Sequence, residues 1–172
     1  MIASDVDAEC TADDVQVAIL LGNGEWPGFR TTMLFAEEVF PVCSPGYLNN
    51  SKTQVRLDNI ANETLLELSD HHWNWMNWRL WLSNQGVALP TAHRAMQLNS
   101  YPLLIESAKN GMGIALGWGV LVDEDINSGK LVRPLADTLH TEQGYFLLRR
   151  ERSLAMNEVD HFCHWLTDQF QT

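Results

Sequence analysis

The side chains that could do chemistry fall into a few local groups. His71-His72 and the set Asp160, His161, Cys163 and His164 are the metal candidates. His161 and His164 stand at i, i+3 and can share a helix face, but Cys163 belongs to an apolar stripe, and no CxxC or HExxH spacing closes a site. These histidines read as surface residues and no metal is expected. For nucleophilic catalysis there is no GxSxG, and Cys43 in PVCSPG reads as a small strand hydrophobe. Carboxylates are abundant, but no pair is marked by spacing as sharing a cleft. The glycines of GMGIALGWG come after a helix and lead into a strand, the reverse of the order that a dinucleotide-binding turn requires. The chain therefore reads as no enzyme, with no cofactor.

What remains is the stretch Leu98 to Trp118, LNSYPLLIESAKNGMGIALGW. Asn99 and Ser100 are helix-capping types, Pro102 suits a first turn, and Leu104, Ile105 and Ala108 share a face. Asn110-Gly111 suits the left-handed end of that helix, and Gly113 to Gly117 reads as a buried strand of a parallel sheet. A polar helix N-terminus following the carboxyl end of a strand is a candidate site for a small anion.

The elements that must hold this stretch can be read in order. Met1 to Val6 could be a short strand, and Val15 to Leu21 is a more apolar one, ended by the loop Gly22 to Gly28. Thr32 to Cys43 is rich in β formers, with Pro41 marking an edge or a crossing between lobes. Leu57 to Leu68 reads as a turn and the strand TLLEL. HHWNWMNWRLWLSNQG reads as a helix with Trp75, Trp78 and Leu82 on one face and Trp73, Met76 and Leu80 on the other, so that both are covered. Strands follow at Arg94 to Leu98, Leu131 to Leu135 and Tyr145 to Leu148, with a helix at Gly119 to Ser128. A last helix, capped by Ser153, places Val159, Phe162, Cys163, Leu166 and Phe170 on a core.

Composition bounds the function further. The chain has 172 residues, 45% of them hydrophobic and 19% charged, which is globular, and seven are Trp. Its net charge of −11, from 22 acidic and 11 basic residues, would repel phosphate backbones, so the chain alone should not bind nucleic acid. Three scattered Cys residues fit reduced thiols. No apolar run of about 18 residues and no leader are seen, so the expectation is a cytoplasmic protein without membrane contact.

Taken together, the segments resemble the effector-binding domain of LysR-type transcriptional regulators. DVQVAILLGNGEWPG from Asp14 to Gly28 is similar to that family's strand and GxGxWPG turn, and LFAEEVFPVCSPGY from Leu34 to Tyr47 to its LxxExxFPVCSPxY crossover. Trp78-Arg79-Leu80-Trp81-Leu82 with Gly86 matches WxxWLxxxG, the Leu98 to Trp118 stretch matches its helix and GxGIAL strand, and Phe162 to Leu166 matches the closing FxxWL. The branch indicated contains glycine-cleavage activators and β-lactamase regulators.

The resemblance implies an α/β fold of two Rossmann-like lobes joined by two crossing strands, like a type 2 periplasmic binding protein. Lobe one would be 1–43 plus 146–172 and lobe two 44–145. It implies a small effector, anionic or amino-acid-like, held in the cleft between lobes by Asn99 and Ser100, with Tyr101, Trp118, the Gly22-Asn23-Gly24 loop and Tyr145 lining it. DNA binding would require the family's winged helix, and homo-oligomerisation is expected of the full-length protein. Neither the winged helix nor the first elements of lobe one have counterparts in the sequence, which reads as N-terminally truncated, and Gln16 and Leu20 stand where the family often has Asp and Arg. A solute-binding protein of a transport system is the alternative.

Overall fold

The computed structural model describes residues 7–51, 53–69, 76–151 and 157–170. In chain order the elements are α1 (Asp7–Cys10), β1 (Val17–Gly22), β2 (Phe29–Val42), α2 (Pro45–Asn50), a 3-10 turn (Ile60–Asn62), β3 (Thr64–Leu68), α3 (Trp78–Asn84), β4 (Arg94–Leu98), α4 (Tyr101–Lys109), β5 (Ala115–Trp118), α5 (Gly119–Asn127), β6 (Leu139–Arg150) and α6 (Asn157–Asp168). Two compact units result, one of residues 1–37 and 140–172, the other of residues 38–139. The changeovers lie earlier in both long strands than Cys43 and Tyr145, because Val39, Phe40 and Val42 are already buried in the second unit.

In the first unit β6 runs between β1 and β2. Its antiparallel register with β1 runs from Val17↔Arg149 to Gly22↔Gly144. Helix α6 covers this sheet with Val159, Cys163, Leu166 and Phe170 packed around Leu34 and Leu147. Phe162, expected on the same stripe, is 45% exposed. At about 100° per residue it lies at the rim of the face centred on Val159, Cys163 and Leu166, so the sheet does not reach it. The Asp160 carboxylate pairs with Arg149. The expected strand at Met1 to Val6, the cap at Ser153 and the pair His71-His72 lie outside the described residues.

In the second unit β3 and β4 pair in parallel, Thr64↔Arg94 through Leu68↔Leu98. The run at Ile114 to Trp118 departs from the expected parallel strand. β5 pairs antiparallel with the end of β2, Val39↔Trp118 to Val42↔Ala115, and Ile114, just before it, makes an isolated parallel bridge to Leu65. The expected strand at Leu131 to Leu135 reduces to a single bridge, Val132 to Cys43, since Pro134 cannot continue a ladder. The core gathers Phe40, Val42, Leu66, Leu104, Ile105, Ala108, Ala115, Val122 and Leu131. Burial of these side chains is the main force holding the unit together, at roughly 1.5–3 kcal/mol for each large one.

The Trp-rich helix is also reorganised. α3 begins at Trp78 behind an Asn77 cap, and Trp78, Trp81 and Leu82 are buried while Leu80 is 44% exposed. One face is covered, not two, and Trp81 belongs to it. The reason is hydrogen bonding as well as area: Trp78 Nε1 donates to the Leu66 carbonyl and Trp81 Nε1 to that of Val39, each at 3.0 Å. Trp73 and Trp75 lie outside the described residues. Helix α2 was not anticipated, although Ser44-Pro45 is a cap followed by an N1 proline; Ser44 Oγ accepts from the Tyr47 N–H at 3.2 Å.

Candidate functional site

In the second unit the chain leaves β4 at Leu98, exposes Asn99 and enters α4 at Ser100. Ser100 has the extended backbone of an N-cap, φ −145° and ψ 123°, and its carbonyl accepts the Leu104 N–H at 2.9 Å. Its side chain makes no capping hydrogen bond. The starts of α2 and α3 differ, since Ser44 and Asn77 each accept a first-turn N–H through their side chains, whereas α5 begins at Trp118, which likewise makes no side-chain cap. A helix start without a side-chain cap leaves N–H donors and the positive end of the dipole for another acceptor. Leu104, Ile105 and Ala108 anchor α4 in the core, and Gly111 at φ +74° ends it after Asn110.

Tyr101 and Trp118 form one cluster beside this helix start. Their rings meet edge to face, 5.1 Å between centroids at 88°, and the Tyr101 hydroxyl accepts the Trp118 N–H at 3.0 Å. Trp118 is only 6% exposed, so its ring is chiefly a wall. A small cavity of about 30 Å³ opens against it, its lining among the described residues including Leu68, Trp78 and Leu104 and the polar Glu67 and Asn77. Sequence reasoning placed none of these five in the site; Leu68 could have been found from its position at the carboxyl end of β3.

The remaining candidates stand in the first unit. Gly22, Asn23 and Gly24 form a turn in which Asn23 Oδ1 accepts the Glu25 N–H at 3.2 Å and the Thr31 hydroxyl donates to the Gly24 carbonyl at 2.8 Å. The glycines are required sterically. A Cβ at Gly22 would lie 2.7 Å from the Trp26 ring, and one at Gly24, which has φ +91°, 2.9 Å from the Phe146 ring. Tyr145 pairs across the sheet with Leu21, one residue before this turn. Its ring stacks on Phe35 at 4.7 Å. Burial first, and then the charge of Glu37, push its phenol up to about 12, so at neutral pH it is a hydroxyl able to donate.

Glu37 is the residue that sequence reasoning passed over. It is 3% exposed and accepts the Thr141 hydroxyl at 2.6 Å. Its signal was parity: Phe35, Glu37 and Val39 alternate on one side of β2. Cys43 has no exposed surface, and burial followed by the nearby Glu63 charge pushes its thiol up to about 12. It is protonated at neutral pH and a poor nucleophile. The structure thus gathers Asn99, Ser100, Tyr101 and Trp118 in one unit, and Gly22, Asn23, Gly24 and Tyr145 in the other.

The sequence profile of the LysR substrate binding domain matches residues 4–171. The glycine cleavage system transcriptional activator of Escherichia coli (strain K12) is 29% identical over 164 residues, covering 95% of this chain and 52% of that protein. The HTH-type transcriptional regulator DsdC of Escherichia coli (strain K12) is 30% identical over 165 residues, covering 92% of this chain and 51% of that protein. The chain spans about half the length of these curated relatives. Among solved structures, the AmpR effector binding domain from Citrobacter freundii superimposes with a TM-score of 0.72 at 24% identity, covering 96% of this chain and 78% of that one. The fold is that of LysR effector-binding domains, the type 2 periplasmic-binding-protein architecture.

Proposed function

The chain belongs to the LysR substrate-binding-domain family, and from that premise we propose that it is the ligand-sensing part of a bacterial transcriptional regulator, binding a small effector without transforming it. The effector is anionic or amino-acid-like, and its acceptor group docks at the start of α4. The observation that carries this is the Ser100 side chain, a capping type that makes no capping bond at its own helix start, although Ser44 and Asn77 cap α2 and α3 of the same unit. A carboxylate there meets first-turn N–H groups and about half a positive charge, a local attraction that outweighs the distributed charge of −11 because it acts at contact.

Asn99, Tyr101 and Trp118 are proposed as further contacts, together with the Gly22-Asn23-Gly24 turn and Tyr145. In that turn only the exposed Asn23 offers a side chain; Gly22 and Gly24 would contribute backbone. The two compact units, residues 1–37 with 140–172 and residues 38–139, are proposed as the lobes. In the longer protein, DNA contact belongs to a separate winged helix, in keeping with the HTH-type naming of relatives, and a homo-oligomer in the cytoplasm is the working form. Among the described residues no helix is long and apolar enough to cross a membrane. The transport alternative is not favoured, since the matched relatives are named as regulators.

A thermal-shift screen of amino acids, purines and cell-wall fragments, followed by calorimetry on the best hit, tests the reading. Ser100→Ala and Ser100→Gly should each weaken binding roughly tenfold, about 1.4 kcal/mol. Unchanged affinity in both variants would remove Ser100 from the site.

A further inference from the structure

We infer that the first unit holds a second small-ligand site, a cavity between α6 and the sheet that takes inorganic phosphate, with Arg30 as its main anchor and Asp160 as the group that tells phosphate from sulfate. None of its residues is among those proposed for the effector.

Two periodicities build the cavity. Arg30 and Thr32 alternate with Leu34 along one face of β2, and Arg149 follows Leu147 on one face of β6. Leu34 and Leu147 pack under α6, so both arginines stand on the side of the sheet that the helix covers. On α6, Asp160, Cys163, His164 and Thr167 recur at i, i+3, i+4 and i+7 and form the flank turned to Arg30 and Thr32. Helix and sheet part there around about 180 Å³. At about 30 Å³ for each water of the liquid, that is room for about six non-hydrogen atoms, which admits one phosphate and excludes a nucleotide.

The charges and donors call for an oxyanion. Two guanidiniums meet one carboxylate, and Asp160 is paired with Arg149. Arg30 is exposed and, among the described residues, has no hydrogen bond or ion pair; the same is true of the Thr32 hydroxyl and the His164 ring. Burial holds the Cys163 thiol above its ordinary value, so it adds no negative charge at neutral pH. One positive charge is left over, with free N–H and O–H donors beside it, and a guanidinium matches the paired oxygens of a phosphate. Asp160 then selects among oxyanions. Its side chain is 30% exposed while Oδ1 is buried against Arg149, so Oδ2 carries the exposure of the carboxylate. An ionised carboxylate oxygen can only accept. Inorganic phosphate keeps a proton at neutral pH and can donate it to Oδ2. Sulfate has none and would set its lone pairs against the carboxylate, and a phosphate monoester, with a second pKa of about 6, is mostly in the same state.

The test is an NMR titration of the full chain with sodium phosphate, sodium sulfate and glycerol phosphate, at matched low ionic strength because salt screens exposed charges. Phosphate should move the Nε–H signal of Arg30 and the amides of Thr32 and His164 along a saturating curve, with affinity roughly tenfold above that for sulfate or glycerol phosphate. Arg30→Gln, at an exposed position where folding is not at stake, should weaken phosphate by about tenfold or more. Asp160→Asn, whose amide can donate to any oxyanion, should bring sulfate up to the level of phosphate. Shifts that follow ionic strength whatever the anion would mean an adventitious ion only, and the site would be lost. Sulfate or glycerol phosphate binding as tightly as phosphate would overturn the role of Asp160. Unchanged phosphate affinity in Arg30→Gln, or shifts confined to the start of α4, would overturn the site itself.

Discussion

Three helix starts in one unit allow the role of Ser100 to be separated from capping by stability alone. Ser44 is 7% exposed and accepts the Tyr47 N–H at 3.2 Å; Asn77 is exposed and accepts the Leu80 N–H at 3.0 Å. Truncating either to Ala removes a real cap, worth about 0.5–2 kcal/mol. Ser44→Ala belongs at the upper end, because in a buried setting water cannot replace the lost acceptor. Ser100 makes no such bond, so Ser100→Ala should change stability by no more than about 0.5 kcal/mol, the range for a substitution that breaks nothing. Urea unfolding of the three variants, analysed at constant slope, resolves the difference as shifts in midpoint. In thermal scans a loss of about 1 kcal/mol corresponds to roughly 2–4 °C for a protein of this size. The expected order of cost is Ser44→Ala, then Asn77→Ala, then Ser100→Ala near zero. Equal losses at Ser100 and Asn77 would mean that the Ser100 hydroxyl caps α4 in solution, and the reasoning that leaves it for an effector would collapse.

Two further outcomes follow from the geometry. Gly24 and Gly28 both have positive φ, but only Gly24 has a ring against its missing Cβ; Gly28→Ala should cost about 1 kcal/mol of backbone strain and Gly24→Ala clearly more, and equal urea midpoints would show that Phe146 yields freely. Cys43, with its thiol raised from 9.0 to about 12, should resist iodoacetamide at pH 8 in the folded protein and react once urea unfolds it. Because the folded value is the higher one, its contribution to stability is complete below pH 9 and is lost as pH rises toward 12. Mass spectrometry showing Cys43 alkylated in folded protein as fast as a small thiol would contradict the burial.

Much of α4 was determined by the sequence alone. Pro102 near its start, Gly111 past its end and apolar residues at 104, 105 and 108 each act within a turn or two of themselves, so their meaning is local. The same holds for the Gly22 to Gly28 loop, whose glycines stand where the backbone needs them, though the rings that exclude a side chain there come from Trp26 and Phe146. The Trp-rich segment shows where local reading stops. Its periodicity offered two faces, and the choice of Trp81 over Leu80 was made by a carbonyl 42 residues away, at Val39, that an indole N–H had to meet. The direction of β5 had the same origin: an apolar run suits a parallel or an antiparallel neighbour equally, and it was the path of β2 that made Val39↔Trp118 antiparallel. Ser100 is a further instance. Its residue type suits a cap or a ligand contact equally, and only the three-dimensional placement of its hydroxyl, off the first-turn N–H groups, favours the second. Sequence fixes what each residue prefers within a few neighbours; tertiary structure decides which distant partner satisfies it, because hydrogen bonds and close packing are made between segments whose separation in the chain carries no local signal.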